Sequence, residues 1–373
     1  RHPSLKIVVQ SSPSRCFADD EYREQGIEVV DDVSSCDVLL GVKEVAIDQL
    51  VSDKTYFFFS HTIKAQPYNR RLLQNILVKN IELIDYECLR SKDGLRVIAF
   101  GRWAGIVGAY NGLRALAMRL SLGELPAMHK CFDLAEALEA IRAIDFSSAR
   151  LVVTGTGRVS RGAEEIVKAA GFEEVSPSSY ISSEHKGQYV ILPTESLFTH
   201  DEHGFQTSFY TDPSGYQSTL LPYLQSTNLL INGIYWDNRA PSFFTQEEAH
   251  TLLKSTRLTT IADITCDIAP VASIPLTIRP SIIGDAVYGV DPQSLVELPP
   301  YSSNGLDIMA VDNLPNELPR DASMDFGAMF IEYVLDAMMT HDYPSQEMIK
   351  QATITQAGKL TPAYQYLTEY VNA

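Results

Sequence analysis

Two short apolar runs of this chain end on residues that can carry protons. Asp37-Val38-Leu39-Leu40-Gly41-Val42 leads into Lys43-Glu44, and Tyr56-Phe57-Phe58-Phe59-Ser60 leads into His61. A lysine beside a carboxylate can take and return a proton, and an imidazole titrates near neutrality, so Lys43 and His61 are the acid–base candidates. The plain alternatives are a capping lysine and a core histidine bonded to a backbone carbonyl. Both residues close neighbouring strands, and α/β sheets open their crevices at the carboxyl ends of strands. That shared position favours chemistry.

A second pattern concerns phosphate. Ala149-Arg150-Leu151-Val152-Val153 reads as a strand, and Gly155-Thr156-Gly157-Arg158-Val159-Ser160 follows it and opens a helix. This is a G-x-G-x-x-S variant of the dinucleotide fingerprint in its required strand–turn–helix context. Gly155 suits the tight turn, and Gly157 leaves room for a pyrophosphate at the helix N-terminus, whose free N–H groups favour anions. Ser160 replaces the third glycine. An acidic residue for the ribose is expected about 20 residues on, where the chain has Ser176. No carboxylate there repels a 2′-phosphate, and no arginine nearby binds one. The reading leans to NADP and leaves NAD open.

These residues need a scaffold. Strands are expected at 5–9, 27–30, 37–43, 56–61, 81–84, 96–100, 149–153, 228–232 and 258–264, alternating with helices at 19–25, 67–79, 104–122, 163–170 and 246–254. A helix is expected from about 322 to 339, with helical stretches from there to Tyr370, and residues 176–218 read as loops with short elements. The alternation predicts an α/β protein of two Rossmann-like domains with parallel sheets, the active site lying in the cleft between them. The expected division is a discontinuous substrate domain of residues 1–110 with 318–373, and a dinucleotide-binding domain of 111–317. Ala104, Gly105, Gly108 and Ala109 suit close packing where the long helix begins.

Charge narrows the partners. The 373 residues carry 30 Lys and Arg against 47 Asp and Glu, a net −17, which argues against nucleic acid and anionic membrane surfaces. From His61 to Arg119, however, ten basic residues face four acids, a local +6. Arg70, Arg71 and Arg119 read as solvated, while Lys64, Arg96 and Arg102 fall near predicted strand ends and could meet substrate carboxylates. Five scattered cysteines without a C-x-x-C pair argue against a disulfide framework or a metal site, and for a reducing cytoplasm. No apolar run reaches the length of a bilayer span. The opening Arg1-His2-Pro3 is neither a signal peptide nor an initiator Met, as expected of a sequence that begins inside a longer chain.

Several blocks together resemble a known family. Phe59-Ser60-His61-Thr62-Ile63-Lys64-Ala65-Gln66, Ile84-Asp85-Tyr86-Glu87, Ala99-Phe100-Gly101-Arg102-Trp103-Ala104-Gly105, Ile231-Asn232-Gly233-Ile234-Tyr235-Trp236 and Val311-Asp312-Asn313-Leu314-Pro315 resemble the lysine–ketoglutarate reductase region of aminoadipic semialdehyde synthase. Fungal lysine-forming saccharopine dehydrogenases are similar at greater distance, within the wider alanine dehydrogenase and transhydrogenase architecture. The resemblance implies NAD(P)-linked interconversion of saccharopine with lysine and 2-oxoglutarate. It casts Lys43 as the base for the secondary amine and His61 as the acid–base group for imine hydration. Glu44 and Glu87 would tune those two groups, and Gln66 and Phe100, with Lys64 and Arg102, would contact substrate. Asn232, Gly233, Ile234, Asp263 and Thr265 would line the nicotinamide end. The family's earlier strand with its substrate-binding arginine precedes the first residue of this sequence, and Asp267-Ile268-Ala269-Pro270-Val271 departs from the family's run. The rivals are an alanine-type amino-acid dehydrogenase using free ammonia and a non-catalytic nucleotide-binding regulator. Oligomeric state is not legible.

Overall fold

The structure, a computed structural model, describes residues 5–339 and 346–373. The chain divides into two compact units, Arg1–Ala99 with Ser323–Ala373, and Phe100–Ala322.

In the first unit, β1 (Val8–Gln10) and β2 (Glu28–Val30) form a parallel pair joined through α1 (Asp19–Glu24). A separate five-stranded sheet contains the parallel strands β3 (Val38–Leu40), β4 (Thr55–Phe58) and β5 (Glu82–Asp85). On its other side Thr353–Gln356 pairs antiparallel with β5, and Lys359–Leu360 forms the edge. The apolar run of β4 is buried on both faces, which is why it reads as a continuous Phe-rich stretch. One face packs Tyr56 and Phe58 against Leu72, Leu73 and Ile76 of α2 (Arg70–Val78). On the other, Phe57 and Tyr86 meet Phe330 and Phe326 in edge-on or tilted contacts with centroids 5.1–6.3 Å apart. Burying each such side chain contributes roughly 1.5–3 kcal/mol.

Two expectations fail in this unit. Residues 96–100 are not a sheet strand. Ser91-Lys92-Asp93-Gly94 is a tight turn with Gly94 at φ 76°, and Arg96 only bridges back to Arg90. The end of the chain is not all helical, because Ile354 is buried between its strand neighbours and Thr355 donates through Oγ1 to the Ile81 carbonyl.

The second unit holds an eight-stranded sheet. In chain order come β6 (Arg150–Thr154), β7 (Glu173–Glu174) and β8 (Gln188–Leu192). A hairpin of β9 (Phe198–His200) and β10 (Tyr216–Ser218) stands apart. Then follow β11 (Leu229–Asn232), β12 (Thr260–Asp263), β13 (Val287–Val290), β14 (Glu297–Leu298) and β15 (Leu306–Met309). The order across the sheet is β14-β13-β15-β12-β11-β6-β8-β7, and only β13 is reversed, running antiparallel to both β14 and β15. From β6 the chain builds toward β8 on one side, then returns to β11 on the other. The sheet therefore has its switch point between the carboxyl ends of β6 and β11, where α/β folds place ligands. Residues 176–218 hold short elements joined by loops, as expected, and β8 among them buries Tyr189, Val190 and Leu192.

Helix α3 (Gly101–Leu120), followed in the chain by α4 (Leu134–Arg142), packs on α5 (Arg158–Ala169), backbone against backbone. A Cβ on Gly105 would lie 1.9 Å from the Val159 carbonyl oxygen, and one on Gly162 would lie 2.0 Å from that of Arg102. This contact holds the whole of α3 in the second unit, so the division falls before residue 100 and after residue 322 instead of cutting the helix at 110. Among the described residues no helix is long and apolar enough to cross a membrane.

Candidate active site

Beyond its last sheet residue, β3 keeps its register through Gly41 N–H to the Phe57 carbonyl (2.8 Å), and Phe59 N–H donates to Val42 (3.0 Å). This pairing carries Lys43 and Glu44 up beside the exit of β4. There His61 adopts a left-handed backbone, φ 54°, and its Nδ1 lies 2.7 Å from Glu44 Oε1. A carboxylate on Nδ1 fixes the ring and directs the other nitrogen outward. Both side chains are partly exposed, at 23% and 33%. Lys43 is exposed and its ammonium has no ion-pair partner among the described residues. A proton carrier and a free amine thus sit on adjoining loops at one edge of the sheet.

Glu87 belongs to a different pairing. Its Oε1 accepts from Arg96 (2.7 Å) and lies 3.9 Å from Lys64 Nζ, while its side chain is 7% exposed. Of the two carboxylates expected to tune Lys43 and His61, only Glu44 contacts the imidazole. Lys64 and Arg96 converge on the Glu87 carboxylate. Arg102 does not join them: its guanidinium is paired with Glu165 through two bonds of 2.7 and 2.6 Å and lies over Trp103. That pairing leaves it poorly suited to a substrate carboxylate. Gln66 is exposed and holds its loop through its carbonyl, which accepts from Tyr370 Oη (2.5 Å). Phe100 caps the start of α3 and packs against the core of the second unit.

One buried polar residue beside these loops escaped the sequence reading. Asp85, fully buried at the end of β5, accepts from Ser60 N–H (3.0 Å) and Ser60 Oγ (2.5 Å) on one oxygen and from Glu87 N–H (2.8 Å) on the other. Burial raises its pKa against the pull of these donors.

The glycine turn has the shape a dinucleotide needs. Gly155 has φ 86°, and a Cβ there would crowd the Ile234 backbone at 3.0 Å, so only glycine fits. Around Gly157 the space is open, and it precedes a 12-residue helix whose first turn has no side-chain cap. Arg158 and Val159 form that first turn. Ser160 replaces the third glycine without strain because its buried hydroxyl donates to the Thr154 carbonyl (2.8 Å). Beyond β7, the exposed Ser176 caps the helix Pro177–Ser182 by accepting from Ser179 N–H. These features fit a pyrophosphate at the α5 N-terminus.

Asn232 and Asp263 do not face a ligand. Asn232 accepts from Thr154 Oγ1 (2.7 Å) and donates to Asp263 Oδ1 (2.8 Å) and Ser273 Oγ (2.9 Å). Asp263 also accepts from Thr277 Oγ1 (2.6 Å), and burial pushes its pKa up to about 6. Both are completely buried. They shape the turn of Gly233 and Ile234, whose carbonyl accepts from Thr265 Oγ1 (2.7 Å). Thr154, Ser273 and Thr277 complete this network and were not legible as site residues.

Residues 2–107 match the family of alanine dehydrogenase/PNT N-terminal domains. Over 97% of its length the chain is 30% identical to the mitochondrial alpha-aminoadipic semialdehyde synthase of Mus musculus. It is a relative of the alpha-aminoadipic semialdehyde synthases. It spans 44% of the mouse protein, less than half that length. The saccharopine dehydrogenase (NAD(+), L-lysine-forming) of Emericella nidulans is 24% identical over 93% of this chain and 87% of that protein. Among solved structures, an L-alanine dehydrogenase covers 95% of this chain and 88% of its own with a TM-score of 0.61 at 16% identity. That likeness bears out the α/β Rossmann-type fold, and the relatives bear out the family resemblance read from the sequence.

Proposed function

We propose that the chain is a pyridine-nucleotide-dependent oxidoreductase that interconverts saccharopine with L-lysine and 2-oxoglutarate. The observation that carries the reading is the His61 Nδ1–Glu44 Oε1 bond of 2.7 Å, made beside Lys43 at one sheet edge. In the oxidative direction Lys43 takes the proton of the secondary amine as the adjacent C–H is lost as hydride. The Gly155–Ser160 turn would hold NAD or NADP, which would supply the hydride acceptor when bound. The resulting imine gains water, and His61 relays protons as the carbinolamine collapses to ketone and free amine. Glu44 holds the imidazole through Nδ1 and so fixes the orientation of the ring. Lys64 and Arg96, anchored on the buried Glu87, offer positive charge to the carboxylates of a substrate that carries three.

Initial rates with NADH and NADPH on lysine plus 2-oxoglutarate, against pyruvate plus ammonia, test the reading. Turnover is expected with the first substrate pair. Lys43→Met and His61→Gln are each expected to cut it at least 100-fold while nucleotide binding stays within twofold. Turnover only with pyruvate and ammonia refutes it in favour of an alanine-type dehydrogenase.

A further inference from the structure

We propose that Asp85 is a positioning residue that sets the His61 imidazole and the Glu87 carboxylate from one buried point. The part of this claim that concerns turnover rests on the proposed function; the part that concerns the imidazole does not. The backbone makes the need for such a residue clear. His61 and Ala65 both sit at positive φ, 54° and 51°, on either side of the single turn Thr62–Lys64. Side chains with a Cβ avoid that region, so the conformation persists only where its surroundings impose it.

The imposing contacts meet on Ser60. Its N–H and hydroxyl both donate to the same oxygen of Asp85, its hydroxyl also lies 2.8 Å from Thr62 Oγ1, and its carbonyl accepts from Asn69 Nδ2 at 3.2 Å. Every polar group of Ser60 is thereby directed before the chain turns at His61. The other oxygen of Asp85 accepts the Glu87 N–H and fixes the single turn Tyr86–Cys88, which carries Glu87 to Lys64 and Arg96. In the sheet Asp85 stands opposite Phe58, the last residue of β4, so one carboxylate reaches both loops.

The chemistry requires a carboxylate in this place. Three donors converge on Asp85, and among the described residues no lysine or arginine pairs with it. An unpaired buried charge is unfavourable for folding. An asparagine would avoid that charge but would turn an NH2 group toward one of the two backbone N–H donors. One loop or the other would lose its anchor.

The test is Asp85→Asn, with Ser60→Ala as a milder second variant that keeps the Ser60 N–H bond to Asp85. In the full chain labelled with 15N-histidine, His61 is assigned by the loss of its signal in His61→Gln. The imidazole 15N shifts of His61 report its tautomer and its bond to Glu44. Asp85→Asn is expected to move them toward the free-histidine average and to lower kcat for lysine plus 2-oxoglutarate at least tenfold. The nucleotide Kd should stay within twofold, and Ser60→Ala should fall between Asp85→Asn and the wild type. Unchanged His61 shifts in Asp85→Asn overturn the proposal, whether or not the rate falls. If Asp85→Asn fails to fold, unchanged shifts in Ser60→Ala overturn it equally. A wild type without this turnover refutes the proposed function alone, because the shifts still decide the positioning claim.

Discussion

Asp263 should make the second unit less stable at neutral pH than at pH 4. Its carboxyl, completely buried, has a pKa pushed by desolvation from 3.8 to about 6. Below the ordinary value both folded and unfolded chains hold the proton, and nothing is lost. Between 3.8 and about 6 the folded chain keeps a proton that the unfolded chain has released, so stability falls as pH rises. Above about 6 both are ionised and the loss levels off at about 3 kcal/mol. Asp263→Asn removes this dependence. Its amide oxygen can still accept from Asn232 Nδ2 and Cys266 N–H, and its NH2 can donate to the Thr277 hydroxyl, which rotates to accept. Urea unfolding at pH 4, 5, 6 and 7, followed by tryptophan fluorescence, is the assay. Both tryptophans, Trp103 and Trp236, lie in the second unit, so the signal reports that unit alone. The advantage of the variant over the wild type should grow by about 2 kcal/mol from pH 4 to pH 7, because part of the loss is already present at pH 4, with unchanged m. A difference that stays flat with pH, or shrinks, refutes the reasoning.

Two glycines should part company on substitution by alanine. Gly105→Ala places a Cβ 1.9 Å from the Val159 carbonyl oxygen and should destabilise the second unit by about 3 kcal/mol in the same fluorescence assay. Gly157→Ala meets no atom within 4 Å, so its stability should stay within about 0.5 kcal/mol of wild type while titration calorimetry shows dinucleotide binding weakened. Ser176→Asp puts a carboxylate after β7, where a ribose 2′-phosphate would be repelled. The ratio of kcat/KM for NADH over NADPH should rise about tenfold, equivalent to about 1.4 kcal/mol, and an unchanged ratio excludes Ser176 from the ribose site.

By itself the sequence determined the parts whose signal is local. The runs ending at Val42 and Phe59 are strands because nearly every residue in them is apolar, and Lys43 and His61 stand out as the polar residues that end such runs. The turn from Gly155 to Ser160 is legible because its glycines meet requirements of the backbone over six residues. Tertiary structure decided whatever depends on a partner far along the chain. Thr353–Gln356 is a strand because β5, some 270 residues earlier, offers it an edge. Arg102 is bound by Glu165, 63 residues away, while Arg96 and Lys64 are gathered by Glu87. Asn232 and Asp263 turned out to be buried supports of the turn at Gly233 and Ile234, and Asp85 became the common anchor of two loops. No pattern in the sequence could assign those roles, because a buried carboxylate is defined by the donors that fold around it, and these arrive from other strands.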